Sequence, residues 1–211
     1  MPVKLFKSKF LIFFSTVCLT VTGFIILNET CINGSDFTYV GVGVCRKCHG
    51  EDAIGNQYAI WVSSPHARAF FTLLTDKGMT IAKKVGIADP ASSQDCLKCH
   101  TTGRGQYEEI KSEGVGCEAC HGSGSEYHRV SNHVDFICRE NGYKKAILSG
   151  MYPILGIESL KRRERLCYTC HNNDRPCFPQ DPKDIQKQKL YIHTIDSLIK
   201  GDINFRHPLR R

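Results

Sequence analysis

Four times along this chain two cysteines stand three positions apart with a histidine directly after the second. The runs are Cys45-Arg46-Lys47-Cys48-His49, Cys96-Leu97-Lys98-Cys99-His100, Cys117-Glu118-Ala119-Cys120-His121 and Cys167-Tyr168-Thr169-Cys170-His171. With nine histidines among 211 residues, four such placements by chance have a probability on the order of one in a million. The spacing has a mechanical reason. Two thiols separated by two residues add to the two vinyl groups of one porphyrin, and the adjoining histidine is then held beneath the iron as its proximal ligand. Zinc sites built from Cys-x-x-Cys pairs leave the four histidines redundant. A thioredoxin-like redox pair accounts for one motif and none of the repetition. The pattern therefore predicts four covalently attached haem c groups, each with its iron, rather than the disulfide scaffold that twelve cysteines would otherwise suggest.

Four haems on the chain beyond residue 27 leave about 46 residues for each, too few to wrap each one separately. At 41% the hydrophobic content is slightly low for a self-sufficient core. The expected fold is mainly α with long irregular loops, a small multihaem cytochrome c fold in which four packed haems form the core. Gly114, Gly116, Gly122 and Gly124 suit close backbone approach and sharp turning around the third motif.

Phe10 to Leu27 is almost wholly apolar and follows Lys4, Lys7 and Lys9, the layout of a signal sequence or an N-terminal membrane anchor. Both readings export the remainder, because the positive charges stay inside. The domain expectation is 1–27 as signal or anchor, 28–38 as linker, and 39–211 as the haem domain, periplasmic or otherwise extracytoplasmic. The net charge of +7 draws on those lysines and on Arg206, Arg210 and Arg211. No arginine-aromatic interleaving accompanies it, so a nucleic acid is not an expected partner. The densest basic run, Lys161-Arg162-Arg163 with Arg165, reads as a solvated helix face.

Five histidines remain to complete the irons: His66, His128, His133, His193 and His207. Methionine is scarce, which disfavours His/Met ligation and makes bis-histidine haems the expectation. His66 follows Ser64-Pro65, a cap and first-turn pair that puts it at the opening of a helix. Ile54, Tyr58, Trp61 and Val62 upstream recur at helical spacing. His128 is tethered by a short glycine arm to His121 and is preferred over His133. His193 points away from an apolar helical face and is the weakest candidate. His207 lies in an irregular tail after Gly201, able to fold back over a haem.

The motif order, together with "SSPHARAF" at 63–70, "CLKCHTTG" at 96–103 and "GVGCEACHGSG" at 114–124, resembles the tetrahaem cytochrome c-554 family. The likeness spans roughly residues 39 to 175. The family's type member carries electrons from hydroxylamine oxidoreductase in nitrifying bacteria. The resemblance implies that distal ligands cross between motifs: His128 for the haem on His49, His66 for the haem on His121, and tail His207 for the fourth haem. It implies a five-coordinate haem on His100, its open face covered by the loop Arg175-Pro176-Cys177-Phe178-Pro179. Two features depart from the family. The linker from His171 to His207 is shorter, and Cys31, Cys138 and Cys177 lie outside the haem motifs. Cys138 with Cys177 is a candidate disulfide; the alternative is that one of the two thiols sits near the open iron.

Three functions are open at this point. The first is electron transfer between a periplasmic redox protein, such as an octahaem oxidoreductase or a quinol dehydrogenase, and the membrane quinone pool or respiratory chain. No acid-base pair, nucleophile arrangement or nucleotide loop accompanies the motifs. The second is a redox enzyme acting on nitric oxide, nitrite or hydroxylamine at the His100 haem. The third is a subunit of a haem filament or of a membrane redox complex.

Overall fold

In a computed structural model of the protein, residues 37–156 and 159–178 are described, with 183, 196, 197 and 199. All belong to one compact unit, Phe37–Arg211. Cys31, His193, His207, Gly201 and the segment Phe10 to Leu27 lie outside the described residues. The described part is mainly helical, without strands, and its short helices are joined by long irregular stretches, in agreement with a multihaem cytochrome c fold. Among the described residues no helix is long and apolar enough to cross a membrane.

The first motif is carried by α1, Val42–His49. After a 3-10 turn at Asp52–Ile54 comes α2, Gln57–Val62, whose start is fixed by the Asn56 side chain accepting from Ala59 N at 3.1 Å. It stops at Ser63, just before the Ser64-Pro65 step, where the residue preceding proline is pushed out of the helical region. His66 then opens a second 3-10 turn, His66–Arg68, as expected, but with Pro65 rather than Ser64 at the cap position and no side-chain cap bond, and α3, Ala69–Leu73, continues directly from it. In α4, Asp76–Lys84, the Thr75 hydroxyl accepts from Gly78 N at 3.1 Å. Asp76 in its first turn and Lys83 and Lys84 in its last complement the helix dipole.

The remaining motifs lie on α5, Gln94–His100, on α6, Cys117–His121, and at the C-terminal end of α9, Leu160–Tyr168. Two 3-10 stretches, Thr102–Gly105 and Glu108–Glu113, bridge α5 to α6. The helices α7, Val130–His133, and α8, Arg139–Leu148, follow.

The side-chain core is thin. Among the described residues its contiguous cluster is Phe70, Leu73 and Leu97, with Ala91 and Cys96 against it, holding α3 onto α5. Phe71, Leu74, Phe136, Ile137 and Leu148 are all more than half exposed. Trp61 and Tyr58 are only half-buried and Val62 is exposed. Polar atoms do much of the joining instead. Thr102, 1% exposed, donates through N and Oγ1 to Gly114 O and accepts from Gly116 N at 2.8 Å. That one threonine ties the exit of the second motif to the approach of the third.

Candidate haem site

The fold gathers motifs that are far apart in sequence. The Cys45 side chain lies beside that of Cys117, and the Cys99 side chain beside that of Cys170. Cys120 lies within the field of Cys167. In space the first motif thus lies beside the third, the third beside the fourth and the fourth beside the second, with Thr102 also joining the second to the third. Close backbone approach makes this arrangement possible. A Cβ on Gly116 would lie 2.8 Å from Val42 Cγ1, so α1 and α6 meet where only glycine fits. Tyr152 N donates to His121 O at 2.8 Å and locks the segment before α9 onto the third motif.

His66 is held by the strand-like run before that motif. Trp61 Nε1 donates to Val115 O at 2.9 Å, and Val115 N donates to His66 O at 3.0 Å. Ser64 Oγ, two residues before His66, is buried and has no partner within the described protein.

The histidine rings are oriented by backbone and amide oxygens. Gln57 Nε2 donates to Ile54 O at 2.8 Å, leaving its Oε1 to accept from His49 Nδ1 at 3.1 Å. His100 Nδ1 donates to Ala69 O at 2.7 Å, His128 Nδ1 to Gly124 O at 2.8 Å, and His133 Nδ1 to Arg129 O at 2.9 Å. Each bond keeps the proton on Nδ1 and leaves Nε2 bare. Metal-binding histidines are prepared in this way. Burial holds His66 below the ordinary imidazole range. Burial, with His66 and Arg175 nearby, pushes His171 down to about 4. Both rings are neutral at pH 7, the form that ligates iron.

Two pairs of histidine rings lie close together, tilted to each other. His49 and His133 have centroids 6.4 Å apart with planes at 34°, and His66 and His171 are 5.9 Å apart at 60°. Two imidazoles on opposite sides of one iron have ring centres roughly 6.4 Å apart, from about 2 Å of metal–nitrogen bond and about 1.2 Å of ring on each side. Both observed separations match that span.

The pairs differ from those the resemblance implied. His128, expected opposite His49, is exposed and makes no ring contact with another histidine, whereas His133 sits there. His66, expected to serve His121, lies against His171. Helix α7 accounts for the first difference, because it turns the chain after the glycine arm and returns His133 toward α1. His100 faces no histidine ring among the described residues. Cys138 and Cys177 are free thiols, so the candidate disulfide does not form. Cys177 instead lies within the field of Cys96, and the Arg175 guanidinium covers the Phe178 ring at 5.3 Å, which sets this loop beside the second motif.

Haem c fits these residues. All eight motif cysteines are free thiols, two pairs of imidazoles stand at about the separation one iron requires, and the side-chain core among the described residues is small. Sequence reading passed over Glu118, Gln57 and Thr102, and did not foresee that His133 comes beside His49. The one signal available for His133 was its own spacing, a second histidine five residues after His128.

Residues 44–122 match the family described as cytochrome c554 and c-prime. Cytochrome c-554 of Nitrosomonas europaea is 32% identical over 111 residues, an alignment covering 46% of this chain and 45% of that protein. The chain thus spans less than half the length of this curated relative. No solved structure matches.

Proposed function

We propose, from the match of residues 44–122 to the cytochrome c554 family and the likeness to a cytochrome c-554, that this chain is a cytochrome of that family and a four-haem electron carrier of the periplasm. A c-type cytochrome that carries electrons on covalently bound haem c follows from the family itself. Four as the number of haems, the ligand pairs and the partners are the further content of the proposal. When bound, haem c supplies a one-electron ferric/ferrous couple whose potential the protein tunes through axial ligands and burial.

The residues divide the work as follows. Cys45 with Cys48, Cys96 with Cys99, Cys117 with Cys120 and Cys167 with Cys170 form the thioethers, and His49, His100, His121 and His171 are the proximal ligands. His133 is the sixth ligand opposite His49, and His66 the sixth ligand opposite His171. That leaves the site at His121 for a histidine of the tail, His207. Gln57 and the carbonyls of Ala69 and Arg129 hold three of these rings in one tautomer. The observation that carries the reading is the two close pairs of imidazoles at 6.4 and 5.9 Å in a chain with four Cys-x-x-Cys-His motifs.

Residues 39–211 are the haem domain on this reading, 28–38 a linker, and 1–27 the export segment. The partners are redox proteins: an octahaem oxidoreductase or quinol dehydrogenase on one side and the membrane quinone pool on the other. Mass spectrometry of the protein exported by a host that attaches haem is expected to show a gain of four haem groups. The same spectrum reads whether residues 1–27 are retained as an anchor or removed. Three haems or fewer, or eight free thiols, would refute the proposal.

One observation favours a second reading. His100 has no histidine ring opposite it among the described residues, and an iron open on one side admits nitric oxide, nitrite or hydroxylamine. A high-spin ferric signal that moves on adding cyanide or nitric oxide supports it, and four low-spin irons exclude it.

A further inference from the structure

Glu118 stands inside the third motif, between Cys117 and Cys120, and is 2% exposed. Its Oε1 accepts from Gly124 N at 2.6 Å and from Val40 N at 3.0 Å. Its Oε2 accepts from Gly41 N at 2.8 Å and from Val40 N at 3.1 Å. Every partner is a backbone N–H, and none can receive a proton from a carboxylic acid, so the group is an anion. Among the described residues no lysine or arginine ion-pairs with it. A buried charge without a counter-ion is costly unless preorganised dipoles solvate it, and three converging amides do so here.

The three amides belong to two different haem sites. Val40 and Gly41 lead directly into α1, which carries Cys45, Cys48 and His49. Gly124 belongs to the arm that leads from His121 toward α7 and His133. A Cβ on Gly124 would stand 2.8 Å from Glu118 Oε1, so the arm closes on the carboxylate as tightly as glycine permits. The charge also reaches the sulfurs of both motifs, opposing ionisation of the Cys45 and Cys117 thiols.

We propose that Glu118 is a positioning residue that clamps the first haem attachment site to the third and, as a fixed buried negative charge between them, lowers the reduction potentials of the two haems held there. The inference rests on the four-haem reading. Reduction adds one electron at an iron, and a nearby anion in a low-dielectric interior opposes that added charge. None of the three amides belongs to α5 or its motif, so the haem at His100 lies outside the clamp.

The test is a mediated redox titration of the full haem-loaded chain, followed by electron paramagnetic resonance. In Glu118→Gln two low-spin midpoints are expected to move to higher potential while the His100 iron keeps its own. Glu118→Asp, which retains the charge, is expected to keep both near the wild-type values. A Glu118→Gln protein with four haems and unmoved midpoints overturns the proposal and leaves the four-haem reading intact, and an equal rise in both variants also overturns it. A wild-type protein lacking four haems defeats the underlying reading instead. If Glu118→Gln does not accumulate, hydrogen exchange on the wild-type holoprotein decides. Joint protection of the Val40, Gly41 and Gly124 amides supports the clamp, and exchange at the rate of exposed loops overturns it.

Discussion

Replacing His66 by alanine in the haem-loaded protein is expected to convert one low-spin iron to high-spin, with the other irons unchanged and added imidazole restoring the original spectrum. The expectation follows from the 5.9 Å separation of the His66 and His171 rings and from burial that keeps both imidazoles neutral. It also names the iron concerned, the one attached through Cys167 and Cys170. Removing that haem with Cys167→Ala and Cys170→Ala should abolish the effect, because His66 then has no iron to lose. An effect of His66→Ala that persists in the three-haem background would assign His66 to another site, the one at His121 being the alternative that the resemblance implied. An unchanged spectrum in the single variant would remove His66 from the ligand set.

Gly114→Val is expected to be the most destabilising single substitution among the glycines that approach the third motif. Gly114 has φ 70° and ψ −138°, a conformation that a β-branched residue cannot adopt without strain. A Cβ there would lie 2.6 Å from His66 O and 3.2 Å from Ala69 N. Both contacts are to backbone, so no side chain can swing aside. Strain and overpacking together should cost about 3 kcal/mol or more. Because the collision is with the peptide of His66 itself, the same variant should weaken the low-spin signal that His66→Ala removes. Chemical denaturation of the holoprotein beside its visible spectrum checks both effects, and wild-type behaviour in both would show that the chain relieves the collision elsewhere.

The haem signature, the number of motifs and the opening of a helix at His66 were all legible in the sequence. Covalent attachment needs five consecutive residues, and a Ser-Pro pair acts on the residues next to it, so both leave local marks. Helix content was legible for the same reason. The approach of His133, rather than His128, to the His49 ring was not. Both histidines follow the same glycine arm, and the difference lies in how α7 turns the chain back toward α1. Glu118 was equally hidden. It occupies one of the two variable positions of a Cys-x-x-Cys-His run, and its role exists only because Val40, Gly41 and Gly124 arrive around it. The fate of Cys138 and Cys177 was likewise a question of distance that two isolated cysteines do not answer.

The sequence by itself determined the four-fold attachment pattern that a haem c reading requires, because thioether formation and proximal ligation would be set by neighbours along the backbone. Only the tertiary structure decided which histidines come together at an iron-sized span and which carboxylate joins the first site to the third. Those relations connect residues remote in the chain, and they depend on close backbone approaches at Gly114, Gly116 and Gly124 that fix where each ring and each charge comes to rest.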